Sequence, residues 1–270
     1  MMFLLFSFLS LAFIPKPATI LQKTVENDGS GVYAIEQEVQ FPVGGQEPVY
    51  LRETWTVEND NRMRLVVTGT RELKDKIHWA FIYDNGMQSQ NLNGLHHKEL
   101  NEDFIEKYFH YRRSERFQNA LVQMHVVPAS LFVKKPYKLS KEPDVVSDPH
   151  VRLVRTGGVL AYAFGLPSDV GAPLLPAFFI EQDQFVLRKF RLPSGAEVTA
   201  DHFSIFARGL NFPRARTVRW GDKQVSIQTI HVQSKPEKNF SLAVEPSTSM
   251  DVPELGAAKS LVEEFYKRFR

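Results

Sequence analysis

Residues 49–57, VYLRETWTV, then 62–68, RMRLVVT, then 77–83, IHWAFIY, decide the fold. In the first run Val49, Leu51, Trp55 and Val57 fall on one face. In the second the apolar face is Met63, Leu65 and Val67, with Arg62 and Arg64 turned away. In the third it is Ile77, Trp79, Phe81 and Tyr83. Alternation with a period of two marks a strand with one buried face. Asn59-Asp60-Asn61 separates the first two runs and Asp84-Asn85-Gly86 follows the third. Both are turn signals, so the runs read as consecutive antiparallel strands.

Upstream, 31–41 (GVYAIEQEVQF) keeps the period, with Tyr33, Ile35, Val39 and Phe41 opposite Glu36, Glu38 and Gln40. Gly44-Gly45-Gln46 reads as the loop between this strand and the next. Downstream, 87–92 is a short return strand. The period then changes. Residues 101–124 (NEDFIEKYFHYRRSERFQNALVQM) lack Gly and Pro, and Phe104, Tyr108, Phe117, Leu121 and Met124 recur at helical spacings. This predicts a helix capped near Asn101, with a second short one around 128–133. A Pro-containing loop, 136–149, leads into a hairpin of 151–155 and 159–164 about Gly157-Gly158. The loop 165–176, GLPSDVGAPLLP, leaves Leu174 and Leu175 exposed. Further strands are predicted at 177–181, 184–192, 196–207, 214–220 and 224–233. A polar tail, 236–253, precedes an amphipathic stripe of Leu255, Ala258, Leu261, Val262, Phe265 and Phe269. The expected fold is mainly β (α+β): one curved antiparallel sheet of about ten strands, which must curl or be covered. The helices at 101–133 are the expected cover of its concave side.

Residues 2–14, MFLLFSFLSLAFI, form an apolar run shorter than the ~20 residues a spanning helix needs. The run fits the apolar core of a secretory signal, with small residues at Ser10 and Ala12, and an uncleaved anchor is the alternative. The expected organisation is a leader or anchor over 1–18, one β domain over 19–248 with the insertion 101–133, and a C-terminal helix in 249–270.

The chain has 270 residues, 43% hydrophobic, with 21 Phe and no Cys. Disulfides, thiolate nucleophiles and Cys-ligated metals are excluded, as is a lipobox cysteine. A net charge of +2 with 24% charged residues of both signs gives no footprint for nucleic acid. Arg112-Arg113, Lys134-Lys135 and Lys267-Arg268 are local basic clusters. Either they are solvated surface or they touch anionic lipid or a partner.

Residues 177–233 read AFFIEQDQFVLRKFRLPSGAEVTADHFSIFARGLNFPRARTVRWGDKQVSIQTIHVQ. A short strand, a basic-apolar strand, a Pro-Ser-Gly turn, a long strand ending in Phe203 and Phe206, a Leu-Asn-Phe-Pro step and two closing strands follow in order. This order resembles the C-terminal half of the LolA-like family of periplasmic lipoprotein carriers. The stretch 78–92, HWAFIYDNGMQSQNL, is similar to that family's strand–turn–strand, and the helical interruption falls where the family places its lid. The resemblance implies an unclosed β half-barrel with a helical lid over an apolar cavity for acyl chains.

No GxSxG, P-loop or GxGxxG occurs, and the eight His show no metal spacing beyond the adjacent pair His96-His97. No enzymatic activity, metal or cofactor is expected. Glu36 and Glu38 on one strand face would suit paired-carboxylate chemistry, but they also fit an ordinary solvent face. The aromatic face is the strongest signal: Trp55, Met63, Leu65, Val67, Trp79, Phe81, Tyr83, Phe179, Phe190 and Phe203 are the candidate cavity lining, with Phe104, Tyr108 and Leu121 on the lid. A filled core has the same sequence pattern. With an open cavity, Val67→Phe would be tolerated. Glu53 falls on the apolar face between Leu51 and Trp55, where a carboxylate is costly unless paired or wet. It is either a headgroup-orienting group at the cavity mouth or a strand end reaching solvent. The expected function is a periplasmic carrier or binder of lipid or acylated protein. The alternative is an envelope interaction module that contacts a protein partner through residues 254–270.

Overall fold

The structure is a computed structural model that describes residues 14–45, 47–133, 148–236, 240–241 and 243–270. Most of the apolar leader run, Lys134-Lys135 and most of the 136–149 loop lie outside the described residues. The described strands are β1 (Val32–Phe41), β2 (Val49–Asn59), β3 (Arg62–Gly69), β4 (His78–Asp84), β5 (Met87–Asn91) and β6 (Leu95–Glu99). They continue with β7 (Val151–Thr156), β8 (Val159–Phe164), β9 (Ala177–Glu181), β10 (Leu187–Arg191), β11 (Glu197–Ile205), β12 (Asn211–Trp220) and β13 (Lys223–Lys235). All belong to one antiparallel sheet in the order β6-β5-β4-β3-β2-β1-β13-β12-β11-β10-β9-β8-β7.

Two meanders therefore run outward from a shared seam. That seam is β1 against β13, paired from Val32–Lys235 to Gln40–Ser226 with one irregularity between Glu36 and Gln37. A sheet of this length curls because every strand pair adds twist, and one side becomes a concave face.

The count of thirteen strands exceeds the expected ten. The strand with no sequence signal is β6, whose five residues are all exposed, so no alternation marks it. The helix expected over 101–124 is corrected. Only α2 (Ser114–Gln123) is α-helical, and Glu106–Phe109 forms a single 3-10 turn. An amphipathic helix buries one stripe, but here Asp103, Phe104, Ile105, Glu106, Tyr108, His110 and Tyr111 are all buried. With only Lys107 and Phe109 partly exposed between residues 103 and 110, the segment lies across the sheet as a strap, and its spacing only imitates a helical period.

The short helix around 128–133 is a 3-10 turn, Ala129–Phe132. A helix at the N-terminal end, α1 (Pro17–Val25), begins inside the expected leader and packs on α2 through Ile20, Leu21 and Val25. The C-terminal helix is present as α3 (Lys259–Phe269), preceded by a 3-10 turn at Pro253–Ala258. Between β13 and α3 the tail is fastened to β4. Thr248 Oγ1 accepts from the His78 amide at 3.0 Å and Ser247 Oγ from the Ala80 amide at 2.9 Å.

Candidate binding site

The concave face of β1–β4 carries Phe41, Trp55, Met63, Leu65, Val67, Trp79 and Tyr83, all buried. Their inward direction follows from the period-two pattern and the register, which places Glu53 opposite Val67 and Val67 opposite Trp79. Phe104 of the strap stacks on Tyr83 at 4.6 Å between ring centroids, and Tyr83 stacks on Trp55 at 5.6 Å. Helix α3 lays Phe265 edge-on to Phe41 (5.4 Å), Tyr266 edge-on to Trp79 (5.2 Å) and Phe269 edge-on to Trp220 (4.8 Å). The amphipathic stripe of α3 therefore fills this part of the concavity.

A second ring cluster covers β9–β12. Phe178 stacks on Phe190 at 5.1 Å, and Tyr108 packs against both at 5.3 and 4.9 Å. Tyr111 stacks on Phe117 of α2 at 4.9 Å. Leu121 on the same helix is fully buried.

Two candidate lining residues do not join these clusters. Phe179 lies on the other side of β9 from Phe178, half-buried beside the Lys189 ammonium at 5.9 Å. Alternation forces this, because Phe178 and Phe179 are adjacent and only one can face inward. Phe203 follows a kink at His202 (φ 55) and sits half-buried under the Arg188 guanidinium at 5.1 Å. The remaining lining candidates, with Phe81 among them, are buried on the concave side.

Glu53 neither reaches solvent nor stands at an open mouth. It is fully buried, and Arg270 binds it with both Nε (2.9 Å) and Nη2 (3.1 Å). The Trp55 indole N–H donates to the same carboxylate at 3.0 Å. Arg270 also lies 3.5 Å from Glu106, and Glu106 pairs with Arg216 at 2.9 Å. Arg216 donates to the Gln37 carbonyl oxygen at 2.6 Å. His110 approaches Glu106 at 3.5 Å and Asp28 at 2.9 Å, and Arg112 closes the chain on Asp28 at 2.7 Å.

Glu53, Glu106, Arg216 and Arg270 are completely buried and balance in charge, which is the condition under which buried ions are tolerated. Burial alone would raise the Glu106 pKa, but Arg216, His110 and Arg270 outweigh it and hold the carboxyl well below the usual range. Burial would lower that of His110, yet Asp28 and Glu106 push it upward.

Apart from Glu53 this network is absent from the sequence reading. Its signal was present: Gln37 between Ile35 and Val39, and Arg216 between Phe212 and Val218, are polar residues at inward positions, as Glu53 is in β2. The candidate metal pair lies on exposed β6, where His97 Nδ1 meets Ser89 Oγ at 2.7 Å. Among the described residues no group of three or more His, Asp or Glu side chains is arranged to hold a metal ion.

No family model and no curated protein matches this sequence. Solved structures do. A LolA superfamily protein from Nitrosomonas europaea aligns over 84% of this chain and 98% of its own, with a TM-score of 0.52 at 12% identity. An outer membrane lipoprotein-sorting protein domain from Vibrio parahaemolyticus gives 84%, 93%, 0.47 and 11%. A DUF1329 family protein from Desulfovibrio piger gives 84%, 93%, 0.48 and 8%. The first of these establishes that this chain has the LolA-like fold.

Proposed function

We propose that the protein is an exported, non-catalytic envelope binder of lipid or lipidated protein. In this reading acyl chains are held in the periplasm against the concave face under α3, on Trp55, Met63, Leu65, Val67, Trp79, Phe81 and Tyr83, while Phe190 belongs to the neighbouring cluster under Tyr108. One observation carries the reading: α3 inserts a row of apolar side chains into the concavity of a LolA-like half-barrel, where an acyl chain would lie. Docking of α3 breaks no strand pairing if undone, because the tail is fastened to β4 upstream at Ser247 and Thr248. Val262, Phe265, Tyr266 and Phe269 each contribute ~1.5–3 kcal/mol when buried. An acyl chain contributes ~0.8 kcal/mol per methylene, so roughly a dozen carbons offset the apolar contacts of α3, and a longer or second chain is needed to offset the broken Arg270–Glu53 pair at ~3–5 kcal/mol. Glu53 then becomes the polar group beside the ligand once Arg270 leaves, and Phe104, Tyr108 and Leu121 remain as the opposite wall.

The test is mass spectrometry of lipids co-purified with the full chain, together with titration of a fluorescent fatty acid. Bound lipid or saturable uptake is expected. Consistently empty protein that ignores the probe overturns the reading.

A second reading, an interaction module that binds an envelope protein through 254–270, is favoured by the filled concavity itself. Removing residues 250–270 separates the two. Retained probe uptake with loss of a co-purifying protein favours the module, whereas increased uptake favours the binder.

A further inference from the structure

A groove of about 760 Å³ opens at the rim of the concave face, outside the α3 site. Its walls are the 100–108 segment, the end of α2 and the Pro193-Ser194 turn between β10 and β11. Its polar side chains are in different states. Asp103 is fully engaged, ion-paired to Arg268 of α3 and accepting from Ser194 Oγ at 2.6 Å. Lys107 and Glu102 also line the groove, and neither has an ion-pair partner among the described residues. Lys107 is half-buried with its ammonium 5.1 Å from the Tyr108 ring centroid, and the carboxylates of Asp60, Glu102 and Asp103 act on it from beyond ion-pair distance. Burial lowers its pKa despite the neighbouring carboxylates.

The apolar wall consists of Tyr108 and Met124, joined by a 3.0 Å contact of the Tyr108 hydroxyl with Met124 Sδ. On its other side Tyr108 packs on Phe178 and Phe190. The groove thus sets a half-buried lysine and an exposed glutamate beside Tyr108, whose far side meets the concave aromatic cluster.

A simple anion would satisfy Lys107 and meet the Glu102 carboxylate. A neutral head would satisfy neither. A head with a phosphate and an ammonium a few bonds apart would satisfy both. We infer that this groove seats the aminophosphate head of a phospholipid, phosphate on Lys107 and ammonium on Glu102, with its chains passing Tyr108 toward the concave face. The inference rests on the proposed function only for the path of the chains.

The full chain is titrated calorimetrically with dihexanoyl phosphatidylethanolamine, dihexanoyl phosphatidylglycerol and chain-free phosphoethanolamine. The expected result is preference for the ethanolamine lipid. Lys107→Met should weaken both lipids by tenfold or more, and Glu102→Gln should abolish the preference between them. Unchanged affinity in Lys107→Met, or no binding by the parent, overturns the site. A preference that survives Glu102→Gln overturns the ammonium half. Competition by phosphoethanolamine at the lipid's own concentration upholds the head site and overturns a lipid as its source. Fluorescent fatty-acid uptake by the parent is measured in parallel. A parent that binds the aminophosphate but takes up no fatty acid would sink the concave-face reading and leave the groove standing.

Discussion

The ring cluster under α3 and the ring cluster under Tyr108 and α2 are both aromatic, both buried and both on the concave face, but they are held differently. The Tyr108 cluster is covered by chain that runs between β6 and β7. It is braced by α1 against α2 and by the Asp28–His110 and Asp28–Arg112 contacts. Its cover is part of the scaffold. The α3 cluster is covered by a helix that arrives on a long tail and is pinned by the Arg270–Glu53 pair. Each cluster also has its own arginine. Arg216 lies over Phe109 and Phe212 at 4.9 and 5.2 Å, and Arg270 over Trp55 and Phe265 at 5.4 and 4.9 Å. Glu106 is the carboxylate they share. The same type of apolar surface is therefore covered by chain inserted between two strands on one side and by a helix at the end of a tail on the other.

The largest effect should come from breaking that shared joint. Glu106→Gln keeps the shape but leaves Arg216 buried with only an amide partner. Removing one partner of a buried pair costs ~3–5 kcal/mol; here Arg216 loses its carboxylate, while Arg270 keeps Glu53. Urea unfolding should show a large fall in midpoint. An unchanged midpoint would mean that the two clusters are not electrostatically joined.

Next comes a matched pair of truncations. Phe190→Ala removes a ring from the braced cluster and should cost ~3–5 kcal/mol of global stability, with no gain in binding of a fluorescent acyl probe. Phe265→Ala loosens α3, so part of its cost is local undocking. It should lower the global unfolding midpoint less and raise probe binding. Equal behaviour of the two variants would abolish the distinction between the clusters.

A smaller effect is expected from Val67→Phe. With Val67 fully buried opposite Trp79, added bulk strains a filled site by ~1–3 kcal/mol, contrary to the tolerance that an open cavity implies. A melting temperature equal to the parent's would show that α3 yields readily to make room.

How far the sequence carried this picture depends on which residues faced one environment. Strands β2 and β3 were legible because Leu51, Trp55, Met63 and Leu65 see the core while the residues between them are for the most part in reach of water. In β4 Ala80 and Ile82 on the other face are buried too, and the aromatic alternation of Trp79, Phe81 and Tyr83 carried the reading. Strand β6 was not legible, having water on both faces, nor was the strap around Glu106, with only Lys107 and Phe109 partly exposed between residues 103 and 110. Phe179 was misread because a run of adjacent apolar residues, AFFI, does not say which one points inward. The partner of Glu53 was out of reach for another reason: Arg270 lies 217 residues away. Inward polar positions in neighbouring strands suggest that charges will meet, but only the docking of α3 says where their counterions come from.

The smallest expected effect is a pH dependence that belongs to one side only. Two buried groups near the Tyr108 cluster bind protons more tightly when folded. His110, stacked on Phe212 at 5.4 Å, has its pKa raised by Asp28 and Glu106 in spite of burial. Asp60 is raised from 3.8 to about 6 by burial, with the Arg116 contact at 2.7 Å opposing it. A folded-state pKa above the unfolded value gives stability that is complete below the unfolded pKa and is lost as pH rises through the folded one. The Asp60 contribution should therefore fall between pH 3.8 and about 6, and that of His110 above its unfolded value of ~6.5. Glu106 acts in the opposite sense, because its depressed pKa supplies stability above the ordinary carboxylate range and loses it in acid. The urea midpoint should accordingly decline modestly from pH 5 to pH 8. Asp60→Asn should flatten the lower part of that decline and His110→Gln the upper part. The α3 cluster contains no histidine among the described residues, so acyl-probe uptake should not follow the His110 titration. A midpoint that rises from pH 5 to pH 8, or uptake that tracks the His110 titration, would mean that the strap and α3 open as one lid, contrary to the distinction between the clusters.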